Sequence, residues 1–133
     1  MKPDPREEAR RWLRQAEKDL DDARFVLSGR RYNLACFLAQ QAAEKAVKGL
    51  LYALGAEDVW GHSVAELCRD AASLAPDFEP LVSQGAVLDK YYIPTRYPDS
   101  LPGGIPAEAF EEEDAERALR LAEHIIAAVK LRV

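Results

Sequence analysis

The sequence has few of the residues that build a metal site or a disulfide framework. It contains two cysteines and two histidines, and Cys36 and Cys68 both lie in apolar, helix-patterned stretches. No C-x-x-C pair occurs, so the inventory argues against a zinc site. Because no secretory signal is present, free buried thiols are expected rather than a disulfide. We predict no bound metal and no cofactor.

A long apolar run is also absent. No stretch reaches the roughly 18 to 20 apolar residues that span a bilayer. The first residues, MKPDPREEARR, lack the apolar segment of a signal peptide. We therefore expect a cytoplasmic protein with no membrane partner. A length of 133 residues fits one domain, covering 1–133.

The third thing lacking is a broad basic surface. The net charge of −5 argues against a protein that binds duplex DNA. The charge is unevenly spread, however. Arg30, Arg31, Lys45 and Lys48 make one segment basic, while the carboxylates within 108–116 make another acidic. Carboxylates suit the positive end of a helix dipole, so the acidic run predicts a solvated helix start.

Helical patterns cover most of the chain, and strand patterns are nearly absent. Asp4, Pro5 and Glu7 supply an N-cap, a proline at the first helical position and a glutamate at the third. Apolar residues then repeat every three or four positions until Gly29, which suits a left-handed C-cap. This pattern predicts a first helix that ends just before Gly29.

A second helix is predicted from about Tyr32 to Leu54, with a stop at Gly55. It is apolar over most of its circumference. Its polar side chains share one arc of roughly 140°: Gln40, Gln41, Glu44, Lys45 and Lys48. Such a helix belongs at the centre of a bundle. Its apolar surface also predicts a homodimer or a higher even-numbered oligomer.

Shorter helices follow. Ser63 and Glu66 form a capping-box pattern that opens a third helix to about Leu74. Pro76-Asp77 separates it from a fourth helix. With the last helix described below, these elements predict an all-α fold, an up-and-down bundle of four to five helices.

The fourth helix is predicted to end near Ile93, because Pro94 disfavours helical geometry in the residue before it. Residues 94–106 hold four prolines and two glycines, a composition typical of a loop. Loops this long inside compact domains are often functional. The last helix is predicted to begin near Pro106.

Three stretches together resemble the HEPN domain family. They are Trp12-Leu13 with Ala16 and Asp19-Leu20, then Ala39 to Lys48 (AQQAAEKAVK), then Leu88-Asp89 with Tyr92 and Arg96-Tyr97-Pro98-Asp99. Gly61-His62-Ser63 lies between the last two. The likeness therefore runs in order over nearly the whole chain, and the QQAAEKAVK and RYPD stretches are its specific parts.

The resemblance implies a bundle of four or five helices that is usually dimeric. It also implies pairing, in prokaryotes, with a separately encoded minimal nucleotidyltransferase, often as a toxin–antitoxin-like module. Several HEPN branches are metal-independent ribonucleases that use an arginine followed, four to six residues later, by a histidine. Here no histidine follows Arg96 until His124. Arg117 and His124 have six residues between them, but they lie mid-helix, so we interpret that match as chance.

The polar arc of the second helix is one candidate site. Burying lysine or glutamate without a partner costs several kcal/mol, so these side chains must be paired or exposed. One interpretation is an intrahelical pair of Glu44 with Lys48 on an exposed strip. The other is that Gln41, Lys45 and Lys48 bind phosphate or base edges.

The loop after the fourth helix is the other candidate. Tyr91, Tyr92 and Tyr97 surround Arg96 and Asp99 in sequence. Aromatic rings beside a guanidinium suit a stacked nucleobase and a bound phosphate. The structural alternative places Tyr92 in the core and makes Arg96 and Asp99 a clamp that fastens the loop to the second helix.

These patterns favour an HEPN-type accessory protein that binds a nucleotide or RNA and acts with a nucleotidyltransferase partner. The predicted ligand-binding residues are Arg96, Tyr97, Asp99, Gln41, Lys45, Lys48 and Tyr92. The alternatives are a ribonuclease toxin built on Arg96 with His62 or His124, and a purely structural helical adaptor. We lean against an enzyme, because the arginine–histidine ribonuclease motif is not present at its expected position. His62 could act as a base only if the fold carries it to Arg96.

Overall fold

The structure, a computed structural model, describes residues 4–133. Its helices are α1 (Pro5–Ser28), α2 (Tyr32–Ala53), α3 (Val64–Leu74), α4 (Val82–Asp89), α5 (Pro106–Ala109) and α6 (Glu112–Arg132). Two 3₁₀ turns, Pro76–Leu81 and Pro98–Ser100, join them. No strand occurs within residues 4–133. The predicted all-α bundle is confirmed.

Helix α1 begins as predicted but ends differently. The Asp4 side chain accepts a hydrogen bond from the Arg6 backbone N–H at 3.1 Å, directly before Pro5. At the other end Gly29 has φ −88°, and the left-handed residue is Arg30, with φ 62°. The prediction for Gly29 was therefore wrong by one position. The Schellman pattern needs the left-handed residue one place after the cap, and Gly29 itself is the cap.

Helix α2 ends where the sequence indicates. Its last helical residue is Ala53, and Gly55 takes the left-handed conformation with φ 96°. The Ala56 N–H then donates to the Leu51 carbonyl at 2.9 Å. This bond satisfies one of the carbonyls that the helix end leaves free.

Helix α2 is the centre of the fold and packs against α1, α3 and α6. Its small residues allow close approach. The fully buried alanines of this helix are Ala35, Ala39, Ala42, Ala43 and Ala46. At Gly49 a Cβ atom would lie 3.0 Å from the Ala9 carbonyl oxygen and from Trp12 Cβ. Because Gly49 is near the end of α2 and Ala9 near the start of α1, the two helices run antiparallel.

The apolar surface of α2 is covered by the chain itself. Of its large apolar residues, only Leu34 is exposed within the described part of the molecule. Helices α1, α3 and α6 thus bury most of the apolar surface from which the oligomer was predicted. The oligomeric state stays a prediction.

Helices α3 and α4 cross at close range. Ser63 caps α3 as predicted, and its Oγ accepts the Glu66 N–H at 3.1 Å. The Asp89 carboxylate then accepts from Ser63 Oγ and from the Val64 N–H, both at 2.6 Å. A Cβ at Gly85 would lie 2.7 Å from the Ala65 backbone nitrogen. Glycine is required there because α4 crosses directly over the start of α3.

Helix α4 is shorter than predicted. It ends at Asp89, not near Ile93, while the predicted separation from α3 is confirmed and takes the form of the 3₁₀ turn Pro76–Leu81. Beyond Asp89 the chain turns more tightly, because the N–H groups of Lys90, Tyr91 and Tyr92 donate to carbonyls three positions before them. Further hydrogen bonds then hold the loop. Thr95 Oγ1 donates to the Tyr91 carbonyl at 2.5 Å, and Arg96 Nε donates to the Tyr92 carbonyl at 2.8 Å.

The predicted last helix is broken in two. Helix α5 is a single turn, and Phe110 then adopts an extended conformation with φ −113° before α6 begins at Glu112. Phe110 packs into the core instead of continuing the helix. The Glu111 N–H donates to Asp114 at 2.8 Å, so part of the acidic run does form a helix start.

Cys36 and Cys68 are free and buried, as predicted. Burial raises the pKa of each thiol from 9.0 to about 12, with nearby Asp114 and Asp89 respectively acting in the same direction. Within residues 4–133, no helix is both long enough and apolar enough to cross a membrane.

Candidate functional site

Arg96 lies among three aromatic rings. Its guanidinium carbon is 4.4 Å from the ring centre of Phe37, 4.6 Å from that of Tyr92 and 5.2 Å from that of Tyr97. These are cation–π distances, which fix the plane of the guanidinium. The Nε atom donates to the Tyr92 carbonyl at 2.8 Å. Among residues 4–133, no hydrogen bond or ion pair engages the terminal amino groups of Arg96. They are available to bind an anion.

The predicted ring set around Arg96 was correct for Tyr92 and Tyr97 and wrong for Tyr91. Tyr91 is buried in the core, where its ring meets that of Phe110 edge-on at 6.0 Å. Burial raises the pKa of the Tyr91 hydroxyl, and Cys36 adds to this effect. The missing third ring is Phe37 of α2. It lies 59 positions before Arg96, so no local pattern indicates it.

The predicted clamp exists in part. Arg96 fastens the loop to α2 through Phe37, and Asn33 of α2 donates to the Thr95 carbonyl at 3.1 Å. Asp99 does not take part. It is exposed and forms no ion pair with any residue of the described 4–133 segment. The loop is therefore held by rings and amides rather than by an Arg96–Asp99 pair.

His62 approaches the same site from the loop before α3. Its ring stacks on the Tyr92 ring at 4.9 Å with an interplanar angle of 18°. Its Nδ1 lies 3.3 Å from both carboxylate oxygens of Glu44. The fold thus brings His62 and Arg96 against one ring, that of Tyr92.

The backbone around His62 is firmly placed. Gly61 has φ 96°, a conformation that favours glycine. The His62 carbonyl accepts from Gln40 Nε2 at 3.0 Å, and the following residue, Ser63, is bound by Asp89. A carboxylate beside Nδ1 favours the tautomer with its proton on that nitrogen. The Nε2 atom of this half-exposed side chain is then left as an acceptor.

Glu44 is the central acceptor of the site. It is buried and receives hydrogen bonds from Gln40 at 3.2 Å and from Gln41 at 3.4 Å. Lys48 Nζ lies 3.2 Å from its other oxygen. The predicted Glu44–Lys48 pair is confirmed, but its placement on an exposed strip was wrong. Both side chains are largely buried, because α1 and the His62 loop cover them.

The remaining predicted cation, Lys45, belongs to a neighbouring cluster. Its Nζ lies 2.5 Å from a carboxylate oxygen of Asp19, which is buried on α1. Gln15 Nε2 donates to the other oxygen of Asp19 at 2.8 Å. Gln41 is occupied as well, since it donates to Gln40 Oε1 at 2.8 Å.

The second histidine, His124, lies outside this site. His124 Nδ1 lies 2.8 Å from Gln84 Oε1, so it ties α6 to α4. Arg117 and His124 are both exposed on α6. No cluster of three or more potential metal-ligating His, Cys, Asp or Glu side chains occurs between residues 4 and 133.

Four of the site's residues were not among the predicted ligand-binding residues. They are Phe37, Gln40, Glu44 and Asp19. A usable signal existed for part of this set: Gln40, Glu44 and Lys48 follow one another at four-residue spacing, which puts them on one face of a helix.

Known proteins resemble the chain over nearly its full length. The model of the HEPN domain matches residues 9–132. A Methanocaldococcus jannaschii protein named as a "putative toxin" is 28% identical over 131 residues, which is 92% of this chain and 86% of the relative.

Solved structures of other proteins also resemble the chain over nearly its full length. A Thermus thermophilus protein has 47% identity and a TM-score of 0.87, over 95% of this chain and 98% of its own. An archaeal HEPN homologue has 40% identity and a TM-score of 0.78, over 94% and 97%. An HEPN domain protein from Thermotoga maritima has 35% identity and a TM-score of 0.71, over 90% and 94%. The chain belongs to the HEPN domain family.

Proposed function

We propose that this chain is a toxin-like HEPN accessory protein that binds a nucleotide or RNA through Arg96 and acts with a nucleotidyltransferase partner. The observation that carries the proposal is the state of Arg96. Its plane is fixed by three rings and its Nε is bonded. Its terminal amino groups have no partner within residues 4–133. An arginine held in a fixed plane with both terminal amino groups open is set to bind a phosphate with two hydrogen bonds.

Two further observations support the proposal. The half-exposed ring of Tyr97 lies 5.2 Å from the Arg96 guanidinium, so a base could stack beside a bound phosphate. The Methanocaldococcus jannaschii relative carries the word toxin in its name. The resemblance to HEPN proteins adds the nucleotidyltransferase partner and the homodimer or higher even-numbered oligomer.

The binding test compares Arg96→Ala, Arg96→Lys and Asp99→Ala by titration with uridine monophosphate and with oligouridylate. Arg96→Ala should weaken binding by about 1.5 to 3 kcal/mol, the scale of a charge-assisted hydrogen bond. Arg96→Lys should recover only part, because lysine lacks the planar fork. The loss should shrink as salt rises. Asp99→Ala should alter neither binding nor stability by more than about 0.5 kcal/mol.

Thermal melts of the same variants separate binding from folding. Arg96→Ala should also destabilise the fold by about 1 to 2 kcal/mol, since it loses ring contacts and one hydrogen bond. Unchanged affinity in Arg96→Ala at temperatures where it is folded would show that Arg96 serves the loop alone. That result would favour the structural adaptor.

Partners are tested in the native cell. A tagged chain should copurify with a nucleotidyltransferase encoded beside its gene, and static light scattering should give an even-numbered oligomer. Expression of the chain alone should slow growth, and co-expression of that transferase should relieve the effect. A chain that stays monomeric at micromolar concentration would contradict the oligomer, and one that never inhibits growth would contradict the toxin-like role.

A second function, that of a metal-independent ribonuclease, is favoured by the pair of His62 with Glu44. A buried carboxylate that orients an exposed imidazole is the arrangement of a general base and its positioning group. Arg96 lies against the same Tyr92 ring and would bind the phosphate. Metal-free RNA cleavage that is lost in both His62→Gln and Arg96→Ala, and retained in His124→Gln, would establish this function over the first.

A further inference from the structure

We infer that a strip of cations runs from the groove between α1 and α2 to Arg96, and that it binds a short single-stranded nucleic acid. The strip consists of Arg11, Arg14, Lys45, Lys48 and Arg96. The inference rests on the proposed function, because Arg96 forms one end. The new part is the groove end, a second contact site for the same ligand.

The groove between α1 and α2 is a concave site of its own. It has a volume of about 470 Å³ and is lined by Glu8, Arg11, Trp12, Arg14, Gln15 and Lys45. Trp12 is fixed in place, since its Nε1 donates to Glu8 at 3.1 Å and its ring packs on Tyr52 at 5.8 Å. Arg14 is exposed and has no ion pair within the described residues. An aromatic ring beside an unpaired guanidinium repeats the chemistry found at Arg96.

Helix α2 joins the two ends. Phe37 contacts Arg96, and Lys48 Nζ lies 5.9 Å from the ring centre of Trp12. Eleven positions separate Phe37 from Lys48, which is close to three helical turns and about 16 Å along the axis. Both residues therefore lie on one face of α2. Gln41 and Lys45 lie between them.

The ion pairs along this face share one orientation. In each, the cation is the outer member and the carboxylate is the inner one. The side chain of Lys45 is 27% exposed against 9% for Asp19, and that of Arg11 is 68% exposed against 20% for Glu8. The pair of Lys48 with Glu44 follows the same order. Each pair has no net charge, but its cation is the member nearer the solvent. A ligand on this face of α2 therefore contacts the cations first.

Ion pairs elsewhere on the described surface leave both members exposed, so the carboxylate is not covered. Lys18 pairs with Asp21 and Asp22, and the three side chains are 64%, 71% and 47% exposed. Arg24 with Glu123, and Lys130 with Glu17, are likewise exposed at both members. The strip is thus a local exception on a protein of net charge −5.

The shape and chemistry of the strip favour a single strand as the occupant. Cations alone would suit any polyanion, but Trp12 and the Tyr97–His62 region supply rings at the two ends, on which bases stack. The distance of about 16 Å exceeds the reach of one nucleotide. A duplex would need a broader basic surface than one helix face presents.

The test measures binding of fluorescent oligouridylates and oligodeoxyuridylates of about eight residues, within the usual site size for single strands. Arg14→Glu should weaken octamer binding at least about fivefold and lower the salt dependence by about 0.7 in log–log slope, the value for one phosphate on a single strand. Uridine monophosphate should bind Arg14→Glu and the unchanged protein equally. The matched control is Arg10→Glu, an exposed arginine of α1 that lines a different groove.

The outcomes are distinct. If neither octamer nor monophosphate binds the unchanged protein, the proposed function fails. If both bind through Arg96 but Arg14→Glu behaves as Arg10→Glu, the function stands and the strip is overturned. Competition by polyglutamate as strong as by the octamer would identify a general polyanion surface and also overturn it. Equal binding of the ribo- and deoxy-octamers would support recognition of phosphate and base stacking, and a preference for RNA would support it with an added 2′-hydroxyl contact.

Discussion

Arg30 adopts a backbone conformation that glycine accepts without steric cost. Its φ of 62° places its Cβ near the following carbonyl, the strain that makes left-handed residues rare. We expect Arg30→Gly to stabilise the fold by about 0.5 to 1 kcal/mol, measured by urea unfolding. The matched control is Arg31→Gly, because Arg31 has φ −95° and should gain nothing. A destabilised Arg30→Gly variant would mean that the Arg30 side chain contributes contacts worth more than the strain.

Glu44 is the residue on which the buried polar cluster depends. Removing its carboxylate leaves Lys48 nearly buried without a counter-charge, a change that costs about 3 to 5 kcal/mol. We predict this loss for Glu44→Ala in chemical denaturation. Glu44→Gln combined with Lys48→Met should recover much of it, because the orphaned charge is then gone.

The control for this prediction is Glu17→Ala. Glu17 pairs with Lys130 on the surface, and its loss should stay within about 0.5 kcal/mol. Should Glu44→Ala prove as mild as Glu17→Ala, Glu44 would not be the anchor of the cluster.

For single residues, composition predicted part of the site. Arg96 and Tyr97 stood out as a guanidinium beside rings, and the pairing of Glu44 with Lys48 followed from helical spacing. The role of His62 did not follow. Its contact with Glu44 spans 18 positions and depends on Gly61, Gln40 and the turn before α3. Sequence spacing carries no information on such a tertiary contact.

At the scale of elements, Asp89 links two helices. Its carboxylate accepts from Ser63 Oγ and from the backbone N–H groups of Val64 and Ala65, so the end of α4 caps the start of α3. Charge-assisted bonds to a helix N-terminus are among the stronger caps. We predict that Asp89→Ala costs about 2 to 3 kcal/mol in thermal unfolding. Asp70→Ala, an exposed carboxylate on α3 itself, should be nearly neutral.

The Asp89 cap also affects the candidate site, because the capped residue Ser63 directly follows His62. In Asp89→Ala the His62 imidazole should exchange between environments, seen as broadened ring signals in NMR spectra, while Asp70→Ala should leave them sharp. Unchanged His62 signals would show that Gln40 and Glu44 alone hold the ring.

The bounds of a helix were predictable from the sequence where local caps and apolar repeats set them. They were not predictable where tertiary contacts set them. Caps and apolar repeats located α1, α2 and α3 almost to the residue. The end of α4 was missed because the chain tightens after Asp89 into hydrogen bonds that span three positions, and the Asp89 side chain is bonded to the start of α3. The start of α6 was missed because burial of Phe110 outweighs helix continuation. Both errors arise at the two ends of the segment that carries Arg96.

At the scale of the whole molecule, the buried thiols tie stability to alkaline pH. Their folded pKa values of about 12 exceed the 9.0 of an exposed thiol. Above about pH 9 the unfolded chain loses these protons while the folded chain keeps them, so stability falls as pH rises. The slope should be on the order of 1 kcal/mol per pH unit for each thiol.

Urea unfolding at a series of alkaline pH values measures this slope. Cys36→Ala should lower stability at neutral pH by leaving a small cavity, yet it should reduce the alkaline slope. A slope that is the same in Cys36→Ala and in the unchanged protein would place its cause in other groups, of which Tyr91 is the first to test.

The short link between α1 and α2 bears on the order in which the molecule assembles. Only residues 29–31 join these two long helices, so closing the helical hairpin costs little loop entropy. Contacts that are near in sequence form early in folding. The Lys48–Glu44 pair lies within one helix and can form with the hairpin. The bond from His62 to Glu44 must wait for residues 54–63 to close back on α2, so the polar cluster around Glu44 becomes complete only late in folding.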